Sequence, residues 1–532
     1  MPAVLSDPLH DTRPTGAAWT TINAEEALPG VATPLSAEWM RIGMAGTRRG
    51  FADIGAISVK EAEAEAGMDA QVGTFFYGRF AFNVDFLRRI GDQMPGSSGD
   101  AVEEKLLGRV RPGVPSQRQA ARLPVIIAKF PLGVLNARRV LPDLEHRVDS
   151  WWRDSVVKDS TSTLDDAVAA FREAERAWLT VVRRHAVINM VATGAFELLQ
   201  QTCREAAMPG LEYRLVTSDE DVYEAQVIAD LWRVAHGRLS EAEFLAGHGY
   251  HGPVESELSS ASWREDAGPL QPIIRRLAKG EQAPLALHGR RAAERRAAEA
   301  QILAGSSGPA RLKIQGVLRF ARVFVPLKEI SRSTFLKTYD VARCMARRIG
   351  EHLVEDGVLD TADDVFYLTP RELRGPYHGE LRKEVLQRRQ RRQEYARLEL
   401  PDRWEANPTP IPLKTEAPTA QADGLSEGPV TGLGVSAGVV EGRALVVEDA
   451  STLEEIGDND ILVCHTTDPS WASLMFAVAG CVIDVGSSMS HGAIVAREIG
   501  IPCVINTRVG TKVLRTGDRI KVDGDTGTVT RA

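Results

Sequence analysis

Cysteine is scarce: Cys203, Cys344, Cys464, Cys481 and Cys503 are the five in 532 residues, and no two stand at the close spacing of a zinc knuckle or a redox dithiol. That pattern excludes a disulfide-stapled secreted scaffold and predicts reduced, mostly buried thiols of a cytoplasmic protein, and no metal-ligating residues are singled out. Long apolar runs are missing as well. No eighteen consecutive apolar residues occur, and the opening MPAVLSDPLHDTRPTG lacks an apolar stretch of signal-peptide length, so neither export nor membrane anchoring is expected. Nor is there an excess of positive charge. The 64 Lys and Arg stand against 72 Asp and Glu, a net charge of -8, which argues against nucleic acid or an anionic membrane as the main partner. No glycine-rich phosphate loop is found, so a nucleotide site on this chain is not expected.

What is present is an ordinary globular composition, 43% hydrophobic and 26% charged, enough to bury several cores in two to four domains. Residues 160–207 are strong helix formers with apolar residues three and four apart, a buried-face helix or helix pair. A second helix is predicted over 327–356, starting behind Pro326 and ended by Gly357. Residues 379–400 are densely charged and read as a solvated helix. From 406 to 428 prolines and small polar residues replace any apolar periodicity, the mark of a linker. Short β-rich runs separated by glycine follow: GRALVVED, DILVCHT, GCVIDVG, PCVIN and DRIKVDGDTGTV. The expected fold is therefore multidomain α+β, with a mainly helical body over 1–405, a linker over 406–428 and a compact α/β domain over 429–532.

In that last domain the strand CVID runs into GSSMSH, and GAIVAREIG after His491 favours helix. His491 thus falls at a strand-to-helix junction, where first-turn amides lacking intrahelical partners and the positive end of the helix dipole attract negative charge. An imidazole is a competent nucleophile toward phosphorus, and the small Gly486, Ser487, Ser488 and Ser490 before it leave room for a bulky reactant.

The string VIDVGSSMSHGAIVAREIGIPCVIN closely resembles the phosphohistidine signature of the phosphoenolpyruvate-utilising enzymes, a family that includes pyruvate phosphate dikinase and the rifampicin phosphotransferases. Ser490, His491, Ala493 to Glu498 and Gly500 to Pro502 match it, while Ser487 replaces the second glycine of the usual pair. GVSAGVVEGRALVV at 434–447, TTDPSWASLM at 466–475 and the closing DGDTGTV are further landmarks. The resemblance implies that His491 is phosphorylated, with Arg497 among the loop-and-helix residues that serve it, and that residues 429–532 swing between a donor and an acceptor site. An extended, proline-rich linker suits such a motion.

The body resembles the acceptor-binding domain of the rifampicin branch at WTTINAEEALPGVATPLSAEW, FFYGRFAFNVDFL, GYHGPVESELSSASWRED and GEHLVEDGVLDTADDVFYLTPREL. Two features of the dikinases are not expected: an ATP-grasp domain, and a pyruvate barrel, for which the 41 residues after His491 are too few. The resemblance then implies a separate ATP-grasp subunit that binds ATP and Mg2+ and charges His491, with no cofactor assigned to this chain. The expected acceptor is a small-molecule hydroxyl, a phenol or aryl alcohol by analogy with split phosphate synthases. A larger natural product of rifamycin type, or a phosphocarrier or regulatory protein with no acceptor chemistry, are the alternatives. Tyr250 and His251 stand where the family has His and Arg, and Ala261 and Ser262 where it has Pro and Arg, which points to an acceptor other than rifamycin. Lys328 and Arg332 exchange the two cations of the family's Arg-Glu-x-x-Lys; four residues apart, they share a helix face and suit a phosphoryl group in transit. His251 is the candidate base for the acceptor hydroxyl.

Overall fold

The computed structural model describes all residues except 1–6, 65–66, 108, 118–119, 158–162, 209, 217–222, 280–283, 378, 413–427, 449–454, 458, 468–470 and 487–489. The chain is multidomain α+β and divides into two compact units, one comprising Met1–Val187, Val254–Ser260 and Thr334–Leu425, the other Ile188–Pro253, Ala261–Ser333 and Ser426–Ala532. Most of the 406–428 stretch, residues 413–427, lies outside the described residues.

In the first unit a small antiparallel sheet is built from β1 (Ala18–Thr20), β2 (Gly73–Phe76), β3 (Arg79–Asn83) and β5 (Arg403–Glu405), in the order β2-β3-β1-β5. A two-stranded pair joins β4 (Leu398–Glu399) to β6 (Ile411–Pro412). Aromatic packing dominates the helical part: Trp39 and Trp178 stack at 6.4 Å, Tyr339 meets both edge-on, and the Trp178 indole donates to the Trp39 carbonyl at 2.9 Å. The acidic part of GPVESEL is used structurally here. Glu257 accepts from the Thr33 amide and hydroxyl and from the Ser36 hydroxyl, at 3.0, 2.7 and 2.6 Å, at the start of the Pro34–Asp53 helix. Arg343, buried, donates to the carbonyls of Glu255, Glu257 and Leu258 and so fixes that segment.

The charged 379–400 stretch forms the Leu381–Ala396 helix, but one side of it is not solvated. Arg388 forms a two-pronged pair with Glu372, Arg389 pairs with Asp364, and Arg392 donates to the carbonyls of Val31 and Ala32. The reason is that arginine carries its charge to the end of a long stem and can satisfy buried acceptors without an apolar stripe.

The predicted 160–207 helix is one continuous element, Leu164–Glu205. The predicted 327–356 helix begins much earlier, at Gly308, and runs through Pro326 to Glu355. Proline in a helix interior removes a hydrogen bond, yet Ile314, Val317, Ala321 and Phe324 before it recur at helical spacing and are all buried, which offsets that loss. Cys203 belongs to the cluster that receives Ile314 and Val317. Burial, with the neighbouring Glu212 carboxylate, pushes its thiol up to about 12.

The C-terminal part of the second unit is an eight-stranded sheet of β7 (Val430–Thr431), β8 (Leu433–Ser436), β9 (Val439–Val447), β10 (Asp460–Cys464), β11 (Gly480–Ile483), β12 (Cys503–Ile505), β13 (Arg519–Asp523) and β14 (Thr528–Arg531). Its order is β7-β14-β13-β9-β10-β11-β12-β8. The four central strands, β9 to β12, are parallel and the flanking ones antiparallel. Alternation sends Leu445, Leu462, Cys464, Cys481, Ile483, Cys503 and Ile505 to one face and Ala444, Ile461, Val463, Val482 and Val504 to the other. Strands buried on both faces read as unbroken apolar runs, which is why DILVC, GCVI and CVI stood out in the sequence.

Candidate phosphoryl-carrier site

The site lies at the carboxyl ends of β10, β11 and β12, the edge where open α/β sheets present ligands. Asp484 leaves β11 and is buried, and its carboxylate holds the neighbouring turn together. It accepts from the Thr507 hydroxyl at 2.6 Å, the Gly510 amide at 2.6 Å, and the Thr511 amide and hydroxyl at 3.0 and 2.5 Å. Its own amide donates to the Cys464 carbonyl, and Val485 donates to the His465 carbonyl. Three strand ends are thereby tied before the chain turns toward His491.

Ser490 takes the extended N-cap conformation (φ -64°, ψ 158°), and His491 is the first residue of the His491–Ile499 helix. The Ser490 side chain caps no amide, while its carbonyl accepts from Ile494 at 3.1 Å. First-turn amides of this kind have no intrahelical partner and turn toward whatever occupies the helix N-terminus. Gly492 has a steric reason. A Cβ there would come 2.4 Å from Thr467 Oγ1 and 2.8 Å from Ile483 Cδ1, so the helix start packs directly on the ends of β10 and β11. Gly492→Ala is expected to destabilise this domain by about 1–3 kcal/mol, the usual cost of overpacking, as read from urea unfolding of the chain; wild-type stability would contradict the close contact. At the other end Gly500 is left-handed (φ 79°) and closes the helix by donating to the Ala496 carbonyl, which accounts for the glycine of GIP.

Of the other residues singled out in the sequence, Gly486 follows Asp484 by two residues, while Ser487, Ser488 and the imidazole of His491 lie outside what the structure describes. Arg497 is in the last turn of the helix, where its Nε donates to the Val435 carbonyl at 2.7 Å and its guanidinium lies 3.9 Å over the Tyr213 ring. His251 is buried between the rings of Tyr250 and Trp263, at 4.2 and 5.3 Å, and its carbonyl accepts from the Trp263 amide at 2.6 Å. The Tyr250 hydroxyl meets Ser333 Oγ at 3.0 Å, so this loop is joined to the Gly308–Glu355 helix at the residue after Arg332. Lys328 and Arg332 are both half-buried on that helix, with the Ser331 hydroxyl bonded back to the Lys328 carbonyl at 2.8 Å. Sequence reasoning did not single out Asp484, nor His248, whose Nε2 pairs with Asp230 at 3.0 Å. Among the described residues no group of three or more His, Cys, Asp or Glu side chains is placed to hold a metal ion, and no helix is long and apolar enough to cross a membrane.

Residues 456–527, which contain this entire turn, match the PEP-utilising enzyme mobile domain, and residues 238–329 match the rifampicin phosphotransferase fourth domain. This C-terminal stretch therefore resembles the mobile domain of PEP-utilising enzymes. The fourth-domain match contains Tyr250, His251 and Lys328 and ends three residues before Arg332. Among similar proteins, a rifampicin phosphotransferase of Streptomyces sviceus is 32% identical over 295 residues, 53% of this chain and 33% of the relative. That of Bacillus subtilis is 35% identical over 214 residues, 39% of this chain and 23% of the relative. The prodigiosin synthesizing transferase PigC of Serratia marcescens is 31% identical over 295 residues, 54% of this chain and 32% of the relative. The chain thus matches a third or less of the length of these relatives.

Proposed function

We propose that the chain is a phosphotransferase component whose residues 429–532 carry a phosphoryl group on His491 and deliver it to a hydroxyl of a small organic acceptor held by residues of the preceding body. The observation that carries this reading is the mobile-domain match over 456–527, within which His491 opens a helix seated on the parallel strand ends. In the transfer the phosphorus–nitrogen bond to the imidazole breaks, a phosphorus–oxygen bond to the acceptor forms, and the hydroxyl proton passes to His251. Lys328 and Arg332 neutralise charge on the outer oxygens of the moving group. The proposal includes a swing of 429–532 about the 406–428 stretch. It also includes a separate ATP-grasp protein holding ATP and Mg2+, which charges His491 and releases AMP and phosphate.

A phenol or aryl alcohol is the acceptor class we favour. A larger natural product is the second reading, favoured by the names of two relatives, which refer to rifampicin and prodigiosin. The differences at Tyr250, His251, Ala261 and Ser262 favour an acceptor unlike rifamycin. The test is reconstitution. The purified chain with ATP and Mg2+ is expected to make no phosphorylated product from phenol, benzyl alcohol or rifamycin, and addition of an ATP-grasp partner is expected to yield the aryl phosphate by phosphorus NMR. ATP turnover by the chain alone, abolished by a substitution within it, would overturn the separate-donor reading, and product from rifamycin but not from the two small alcohols would select the second.

A further inference from the structure

Negative charge is unevenly placed along this chain. The longest stretch without Asp or Glu runs from Lys105 to Pro142 and contains eight Lys and Arg, so the overall net charge of -8 conceals a strongly positive segment. The same stretch is unusual in what it exposes. Val110, Val114, Val125, Ile127, Leu132 and Leu135 all lie at the surface, six of the fourteen large apolar residues so placed among the described residues, with Ile127 62% and Leu132 67% exposed. Single exposed apolar residues are ordinary; six within one short segment mark a surface built to meet something other than water.

The Leu123–Trp152 helix gives four of the six a common direction. Its inner face is fixed. Ile126, Val134, Ala137 and Leu141 are buried, and a Cβ at Gly133 would stand 3.0 Å from Ile54 Cγ2, so the helix lies directly against the end of the Pro34–Asp53 helix. At about 100° per residue, Val125, Ile127, Leu132 and Leu135 form an outward band with the exposed Pro124, Ala128 and Pro131 between them, roughly 16 Å long. Arg138 and Arg139 continue this band at its C-terminal end and Lys129 stands at its flank. All three are exposed, and among the described residues none of them is drawn into an ion pair.

We propose that this outward band rests on an anionic lipid surface, with Val125, Ile127, Leu132 and Leu135 entering the boundary of the acyl chains and Lys129, Arg138 and Arg139 meeting lipid phosphates. A helix that lies in a membrane interface needs an apolar strip and flanking cations rather than the length to span, and this band is far shorter than the hydrocarbon thickness of about 30 Å. The chemistry of the strip separates lipid from protein as its partner. Among the exposed residues from Pro124 to Leu135, Lys129 alone has a hydrogen-bonding side chain. Protein interfaces carry regular hydrogen bonds and aromatic anchors, whereas acyl chains ask for neither. The missing carboxylates select the lipid charge, since cations near an acidic leaflet are drawn to it and negative residues beyond a Debye length are screened. The whole-chain charge predicts no such partner; the local charge does. This inference is independent of the His491 reading.

The test is co-sedimentation of the full chain with vesicles at low ionic strength. Binding is expected to phosphatidylcholine vesicles containing about a quarter phosphatidylglycerol, and to be about tenfold weaker or more on phosphatidylcholine alone. The double variant Leu132→Gln, Leu135→Gln keeps good helix formers at exposed positions, so it is expected to unfold at the normal midpoint and to lose binding about tenfold or more. Arg138→Gln with Arg139→Gln is expected to bind both vesicle types with similar weakness. No binding of the unaltered chain to the anionic vesicles, or normal binding by both double variants, would overturn the proposal. Equal binding of the unaltered chain to both vesicle types would overturn the role of the cations. Self-association seen by light scattering and abolished by Leu132→Gln, Leu135→Gln would overturn the lipid assignment in favour of a second copy of the chain.

Discussion

His491→Ala is expected to abolish phosphate incorporation and to lower acceptor phosphorylation by roughly 10⁴-fold or more, as loss of a covalent nucleophile does. The expectation follows from the placement of the residue rather than from its identity alone. It opens a helix, whose first-turn amides have no intrahelical partner, Gly492 brings that turn against Thr467 and Ile483, and Asp484 ties the adjoining turn to the ends of β10 and β12. Alanine is a strong helix former, and position 491 is the first residue of the His491–Ile499 helix. The variant should therefore fold, with an unfolding midpoint near that of the unaltered chain, and fail only in chemistry. A variant that lost both activity and fold would report a structural role, and retained incorporation would move the carrier to another residue.

The second large effect is expected at Lys328 and Arg332. A transferring phosphoryl group spreads charge over its outer oxygens and needs little covalent help, so positioned cations carry much of the rate. The two residues are four apart on the Gly308–Glu355 helix and half-buried, and the Tyr250 to Ser333 bond brings the His251 loop to the same stretch. In a single-turnover experiment with chain already charged on His491, Lys328→Ala and Arg332→Ala are each expected to slow discharge to acceptor by about a hundredfold or more. Charging of His491 by the donor is expected to stay near the normal rate, because in the proposed scheme that step takes place on another protein. Normal discharge in both variants would leave the pair as an ordinary helix face.

His491 stood out because its surroundings are contiguous in sequence: a β-rich run, small residues, helix formers and GIP follow one another within 25 residues, and the structure makes His491 the first residue of a helix. The flanking strands were legible for the same reason, as buried parallel strands are apolar on both faces. Asp484 was not, because Thr507, Gly510 and Thr511, which it binds, lie 23 to 27 residues further on. Pro326 misplaced a helix start, since proline at a helix beginning is the commoner local arrangement and only the burial of Ile314 to Phe324 reveals the longer element. Arg497 belongs to the legible signature, yet its engagement of Val435 and Tyr213 depends on contacts 62 and 284 residues away. The arginines of the Leu381–Ala396 helix likewise read as solvated until their distant carboxylate and carbonyl partners are in place.

The most direct measurement is the site of the phosphate itself. Chain incubated with an ATP-grasp donor and ATP labelled at the β-phosphate, digested at alkaline pH and mapped by mass spectrometry, is expected to carry acid-labile label on the peptide containing His491. Acid-stable label, or label on a peptide without His491, would contradict the account.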